Sequence, residues 1–111
     1  MNKQKQKKKL ENYMWKKMKE IIINRDKGCI VCGSTQKMNV HHLIPKNHKF
    51  LKYEPLNLVT LCPLHHRFSF DISAHQNPII FNLFLIGKYP DKIPLLMMEY
   101  NKHYGNNYQS I

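Results

Sequence analysis

Three cysteines and two adjacent histidine pairs are the residues of this sequence best suited to chemistry. Cys29 and Cys32 form a CxxC pair (CIVCG), and well downstream Cys62 and His65 form a CxxH pair (CPLH). Zinc takes four sulfur or nitrogen ligands in a tetrahedron, and each short spacing lets a single turn supply two of them. The trailing Gly33 helps the first turn fold tightly. A closed quartet of this kind is structural rather than catalytic, and two pairs at this spacing outweigh the reading of incidental buried thiols. A redox CxxC would need a parallel βαβ setting, which the sequence lacks. Three is also an odd number, so intramolecular disulfides would leave one thiol over, and metal ligation in a reducing, cytoplasmic compartment fits better.

Between the two pairs lies His41-His42-Leu43-Ile44-Pro45 (HHLIP), followed by Asn57 before an apolar run, and His66 stands directly after His65. The succession CIVCG, HHLIP, NLVTLC and HH resembles the HNH endonuclease family across residues 29–68. The segment around residues 77–90 is similar to the helix that follows this motif in some phage-type members. The resemblance implies an α+β fold with a ββα-metal core, a structural zinc, and metal-dependent cleavage of DNA. It implies that His42 is the general base, that His41 and His66 are ligands of a catalytic divalent metal, and that Asn57 hydrogen-bonds within the loop to orient the strand carrying the base. The zinc quartet is similar to an all-cysteine version, with His65 standing where a fourth cysteine is usual.

The chemistry is consistent with those roles. Phosphodiester hydrolysis needs a base to take a proton from water and a cation to offset charge on the phosphate. A histidine near its free pKa suits the first task at neutral pH. An ion such as Mg²⁺, Mn²⁺, Ni²⁺ or Zn²⁺ suits the second, and imidazole ligands favour the transition metals among them. Helical neighbours diverge by roughly 100°, so His65 and His66 can serve two different ions. On a regular strand His41 and His42 face opposite sides, so they can serve one site only if the strand twists or ends there. His48, His75 and His103 lack motif partners, although Asp71 and His75 follow His66 where a third ligand could fall.

These residues need elements to hold them. Leu10, Met14, Met18, Ile21 and Ile22 recur at three- and four-residue spacing and predict an amphipathic helix from residue 10 that stops near Gly28. Residues 29–35 read as a tight turn, 38–45 as a strand stopped by Pro45, 46–57 as a polar loop and 58–61 (LVTL) as a second strand. After Pro63 a helix can begin. Asn77 and Pro78 predict another, stopped by Gly87, and a last helix runs from residue 94 to about 104 and is closed by Gly105. Residues 1–9 are lysine and glutamine with almost nothing apolar, which predicts a mobile basic arm. The expected organisation is that arm, a single domain over residues 10–105, and a frayed tail over 106–111. No internal repeat is visible.

At 111 residues the chain suits one domain. Lys and Arg total 18 against 7 Asp and Glu, a net charge of +11, which points to a polyanionic partner. DNA leads, with an anionic membrane surface second. Lys3, Lys5, Lys7, Lys8, Lys9, Lys16 and Lys17 are the expected phosphate contacts, and lysine suits non-specific contact better than base reading. No stretch has the length of a signal-peptide core or a membrane span. The Lys-, Asn- and Ile-rich composition fits an AT-rich bacterial or phage genome. Two readings compete with the nuclease: a non-catalytic zinc-stapled DNA-binding module, and an RNA-binding zinc knuckle. The first would have no need of an intact base, ligand and asparagine set, and the second would want exposed aromatics for stacking on bases. Oligomeric state, biological role and sequence specificity leave no mark in the sequence.

Overall fold

The computed structural model of the chain describes residues 2–105. Its centre is a two-stranded antiparallel sheet of β1 (Asn39–His42) and β2 (Leu58–Leu61), with Val40 opposite Thr60, His41 opposite Val59 and His42 opposite Leu58. Side chains alternate across a strand, so the sheet has two working faces. On one, Val40 and Leu58 pack against Ile22, Met18, Trp15 and Ile23 of helix α1 (Lys3–Asp26). On the other, Val59 and Leu61 pack with Cys29, Ile30 and Cys62, and with Phe81 and Leu85 of helix α2 (Pro78–Lys88). Helix α3 (Lys92–Tyr104) closes the chain against the loop that joins the strands. Burying one large aliphatic side chain contributes about 1.5–3 kcal/mol. Few among the described residues are wholly buried, Ile22, Leu51, Leu58, Leu61 and Leu85 included, and a core this small gains from a further staple.

Several expectations are corrected. The helix expected from residue 10 starts at Lys3, so residues 3–9 form the first turns of α1 and no element boundary falls at Leu10. The Asn2 side chain accepts from the Lys5 backbone N–H at 2.8 Å and caps the helix, and lysine and glutamine propagate a helix well once a packed segment downstream has nucleated it. The inward face of α1 is also rotated from the one expected. Leu10, Met14 and Ile21 are exposed, whereas Glu11, Trp15, Met18, Ile22 and Asp26 turn inward. Asp26 decides the angle, because its carboxylate accepts from the Thr60 backbone N–H at 2.9 Å and from the Arg25 guanidinium at 2.8 and 3.1 Å. Arg25 in turn donates to the carbonyls of Pro55 and Leu58. The end of α1 is thereby stitched to β2.

The strand expected over residues 38–45 is shorter, although the Leu43 N–H still donates to the Asn57 carbonyl. The polar loop holds two single 3₁₀ turns, Lys49–Leu51 and Pro55–Asn57. The helix expected after Pro63 is one π-helical turn, Leu64–Phe68, closed by Ser69 N–H to the Leu64 carbonyl at 2.7 Å. It stops because Ser69 is extended and its hydroxyl accepts from the N–H groups of Asp71 and Ile72, an alternative to continuing the helix. Gly87 does not stop α2, which runs on to Lys88 and ends where Pro90 forces Tyr89 out of helical geometry. The helix expected to start at Pro94 starts at Lys92. The tail expected over residues 106–111 lies outside the described residues.

Candidate metal centres and active site

Helix α1 ends with Lys27 in the left-handed region, and the chain enters a knuckle at Gly28. A Cβ at Gly28 would lie 2.7 Å from the Gly33 carbonyl oxygen, so only glycine lets the knuckle close this tightly. The Gly33 N–H donates to the Cys29 carbonyl at 2.7 Å, and the Ile30 N–H ties the knuckle to the Thr60 carbonyl of β2 at 3.0 Å. The π-helical turn after β2 brings in the second pair. Cys29 Sγ lies 3.7 Å from His65 Nδ1, Cys32 Sγ 3.7 Å from Cys62 Sγ, and Cys62 Sγ 3.3 Å from His65 Nδ1. Zinc–sulfur bonds of about 2.3 Å and zinc–nitrogen bonds of about 2.0–2.1 Å imply tetrahedral edges of roughly 3.5–3.8 Å. The quartet Cys29, Cys32, Cys62 and His65 therefore has the donor chemistry and spacing to hold zinc. Burial raises the Cys29 thiol, but backbone N–H groups of Cys62, Cys32 and Val31 outweigh it and hold the pKa below its usual value. Cys62, with less such help, is pushed up by burial.

His66 follows His65 on the turn but points to a second cluster. Its Nε2 lies 3.2 Å from His41 Nδ1 and 3.1 Å from His75 Nε2. Metal–nitrogen bonds of about 2.1 Å place neighbouring donors roughly 3–3.4 Å apart; His66 meets that spacing with both His41 and His75, and the three donor atoms all lie within 4.8 Å of one another, so the cluster could hold one ion. Burial, then the neighbouring His66 and His75 rings, pushes the His41 pKa down to about 3. Burial, then His75 and Arg67, pushes His66 to about 4. Both rings are thus neutral near pH 7, the form that ligates a metal. His75 comes from beyond the motif and is placed by backbone pairing, with Ala74 N–H to the His65 carbonyl and His75 N–H to the His66 carbonyl, each 3.0 Å. Asp71, the other candidate third ligand, joins neither cluster among the described residues.

His41 and His42 do face opposite sides of the sheet. His41 meets His66, His75 and Phe81, while His42 stacks on Trp15 with ring centroids 4.9 Å apart and planes 20° apart. Because β1 ends at His42, both rings nevertheless line one cleft of about 940 Å³. His66, Arg67, His75, Lys46, Lys52 and Trp15 share its walls. His42 Nε2 lies 3.0 Å from the Lys52 carbonyl oxygen, which can only accept, so Nε2 carries the proton and Nδ1 is left with a lone pair. Burial is the first cause that lowers the His42 pKa; the hydrogen bond to Lys52 opposes it, and the charges of Lys46 and Lys52 add to it.

Asn57 is fully buried where the long loop rejoins β2. Its Oδ1 accepts from the Ile44 N–H at 2.6 Å, and its Nδ2 donates to the carbonyls of Ile44 and Leu51 at 2.9 and 3.0 Å. The side chain thus acts as an extra rung of the ladder beyond His42. The lysines expected to meet phosphate all lie on α1, with Lys3, Lys5, Lys7, Lys8, Lys9, Lys16 and Lys17 exposed. Sequence reasoning missed Lys46 and Lys52 in the cleft and the stack of Trp15 on His42. A lone tryptophan two helical turns before the domain's buried Ile22 reads as core, and nothing in spacing links it to a histidine 27 positions on.

A sheet that ends in a histidine, an imidazole cluster with metal-like spacing and a knuckle of three cysteines and a histidine define an α+β domain with two side-chain groups that could hold metal ions. Residues 29–67 match the family model described as HNH endonuclease. No curated protein and no solved structure matches the chain significantly. The matched segment includes both zinc pairs, His41, His42, Asn57 and His66, and leaves Trp15 and His75 outside. Among the described residues no helix is long and apolar enough to cross a membrane.

Proposed function

We propose that this chain is a metal-dependent DNA endonuclease that hydrolyses phosphodiester bonds. The observation that carries the reading is the convergence of His42 with the His41–His66–His75 cluster on one cleft within an HNH domain. His42 Nδ1 has the lone pair to take a proton from an attacking water, and the Lys52 carbonyl holds the tautomer that makes this possible. A divalent ion held by the three imidazoles would supply positive charge against the charge that builds on the phosphate. With no carboxylate in the cluster, Mn²⁺, Ni²⁺ or Zn²⁺ suits it better than Mg²⁺. Lys46, Lys52 and Arg67 line the cleft and offer positive charge to phosphate, and the lysines of α1 extend the basic surface. Asn57 pins the loop behind His42. A zinc held by Cys29, Cys32, Cys62 and His65 would be structural, since the four side chains would close its coordination.

Supercoiled plasmid incubated with the protein tests the reading. Nicking is expected with added Mn²⁺ or Ni²⁺ and none with EDTA. His42→Ala should cut about 10²- to 10⁴-fold more slowly while binding DNA as before. A wild-type protein that retards DNA in a gel but fails to cut whichever divalent ion is added would be a zinc-stapled binding module instead.

A further inference from the structure

A single hydrogen bond does not fix the plane of an imidazole. The torsion that rotates a histidine ring is a soft sp³–sp² one with broad minima, so the bond from Nε2 to the Lys52 carbonyl decides which nitrogen is protonated but lets the ring swing about that contact. In this chain the remaining freedom is taken up by Trp15, whose indole lies almost parallel to the His42 ring, with centroids 4.9 Å apart and planes at 20°. The indole is itself braced. Tyr53 sits 6.4 Å away at 45°, and its hydroxyl donates to the Glu11 carbonyl one helical turn before Trp15. Lys52, whose carbonyl holds the imidazole edge, is the neighbour of Tyr53. Edge and face of the same ring are therefore held by two elements that brace each other, and one of them, α1, lies outside the HNH segment.

We propose that Trp15 is a positioning residue for His42, its indole holding the imidazole plane so that Nδ1 is presented to the cleft, and that α1 is therefore part of the reaction centre. The inference rests on the assignment of His42 as the general base. Trp15 also packs beside Ile22, Val40 and Leu58, so filling volume is one of its tasks, and leucine could perform that one. What leucine cannot do is offer a flat face to an imidazole. Small misplacements of a reacting group cost up to about 100-fold in rate, and the loss falls on the chemical step rather than on binding.

The test compares wild type with Trp15→Leu and Trp15→Phe in plasmid nicking at saturating Mn²⁺, with melting curves alongside. Trp15→Leu is expected to lower kcat by about 10- to 100-fold with KM for DNA little changed, and Trp15→Phe to restore most of it. Wild-type kcat in Trp15→Leu would overturn the proposal. So would kcat in Trp15→Phe that falls with that of Trp15→Leu in step with melting temperature. Trp15 is the only tryptophan, so its emission reports the stack without any cleavage. His42→Ala should expose one indole face and shift the emission to the red, and an unchanged spectrum would overturn the stack itself. A wild type that cuts nothing would remove the nuclease reading and the positioning role with it. An active wild type whose Trp15→Leu variant is equally active removes the positioning role alone.

Discussion

Asn57 and Ile44 exchange two hydrogen bonds, Ile44 N–H to Asn57 Oδ1 at 2.6 Å and Asn57 Nδ2 to the Ile44 carbonyl at 2.9 Å. A side-chain amide here does the work of a peptide group in the next strand position, extending the pairing of β1 and β2 past the point where their backbones part. Asn57→Ala should leave the Ile44 N–H and the Ile44 and Leu51 carbonyls without their partner, at a cost of about 1–3 kcal/mol for each group that water cannot reach. A melting temperature lowered by at least ~5 °C is expected. Unchanged melting would mean that the amide is not needed to hold the loop.

Cys32→Ser should release zinc and lower the melting temperature together, because ligand binding in a structural zinc site contributes directly to the folded state. Cys32 is the exposed member of the quartet, so its loss leaves no large cavity to explain a drop in stability. Metal analysis and a melting curve on one preparation check this. A zinc-replete variant of wild-type stability would remove Cys32 from the ligand set.

The basic start of α1 gives a prediction about salt. Replacing Lys7, Lys8 and Lys9 with glutamine keeps good helix formers on the helix and removes charge. DNA affinity should fall alike for all sequences, and the slope of log affinity against log salt should shrink by about 0.9 for each phosphate that is no longer neutralised. A slope equal to that of wild type would place the DNA elsewhere on the protein.

Lys92 is pushed down to about 8 by burial and then by the charge of Arg25, against partial compensation from Asp26 and Glu54. Its folded pKa lies below its unfolded one, so between about 8 and 10.5 the unfolded chain binds more protons and stability from this group rises with pH. At pH 7 the charged amine is a burden on the folded state. Lys92→Met should therefore melt higher than wild type at pH 7, and the difference should shrink as pH rises through that window. A difference that is flat with pH would show that the amine is not desolvated.

Spacing makes the meeting of the two Cys/His pairs and the second strand readable, because ligand-pair spacing and strand alternation act over a few residues. The alternation even places His41 and His42 on opposite faces, and the end of β1 is what lets them share a cleft. The orientation of α1 is not readable in the same way. Leu10, Met14 and Ile21 carry the apolar periodicity, yet the polar contacts of Asp26 with Thr60 and Arg25 turn a different face inward. The lysine-rich start misleads for a related reason, since composition says whether a segment can fold alone and α1 begins as the continuation of a packed helix. His75 reaches the imidazole cluster through backbone pairing across a turn, for which the sequence carries no periodic signal.

The turn that starts at Cys62 delivers Cys62 and His65 to the knuckle and, at the very next residue, His66 to the imidazole cluster. There is no slack between the two destinations. An inserted residue between His65 and His66 could not be absorbed, because both neighbours are committed and the Ala74 and His75 N–H groups grip the carbonyls of the same two residues. If the knuckle holds zinc, exchanging it for a larger thiophilic ion such as cadmium would likewise be felt beyond the knuckle, as a displacement of His66. An ion held in the knuckle would thereby calibrate the position of a residue of the imidazole cluster without touching that cluster itself.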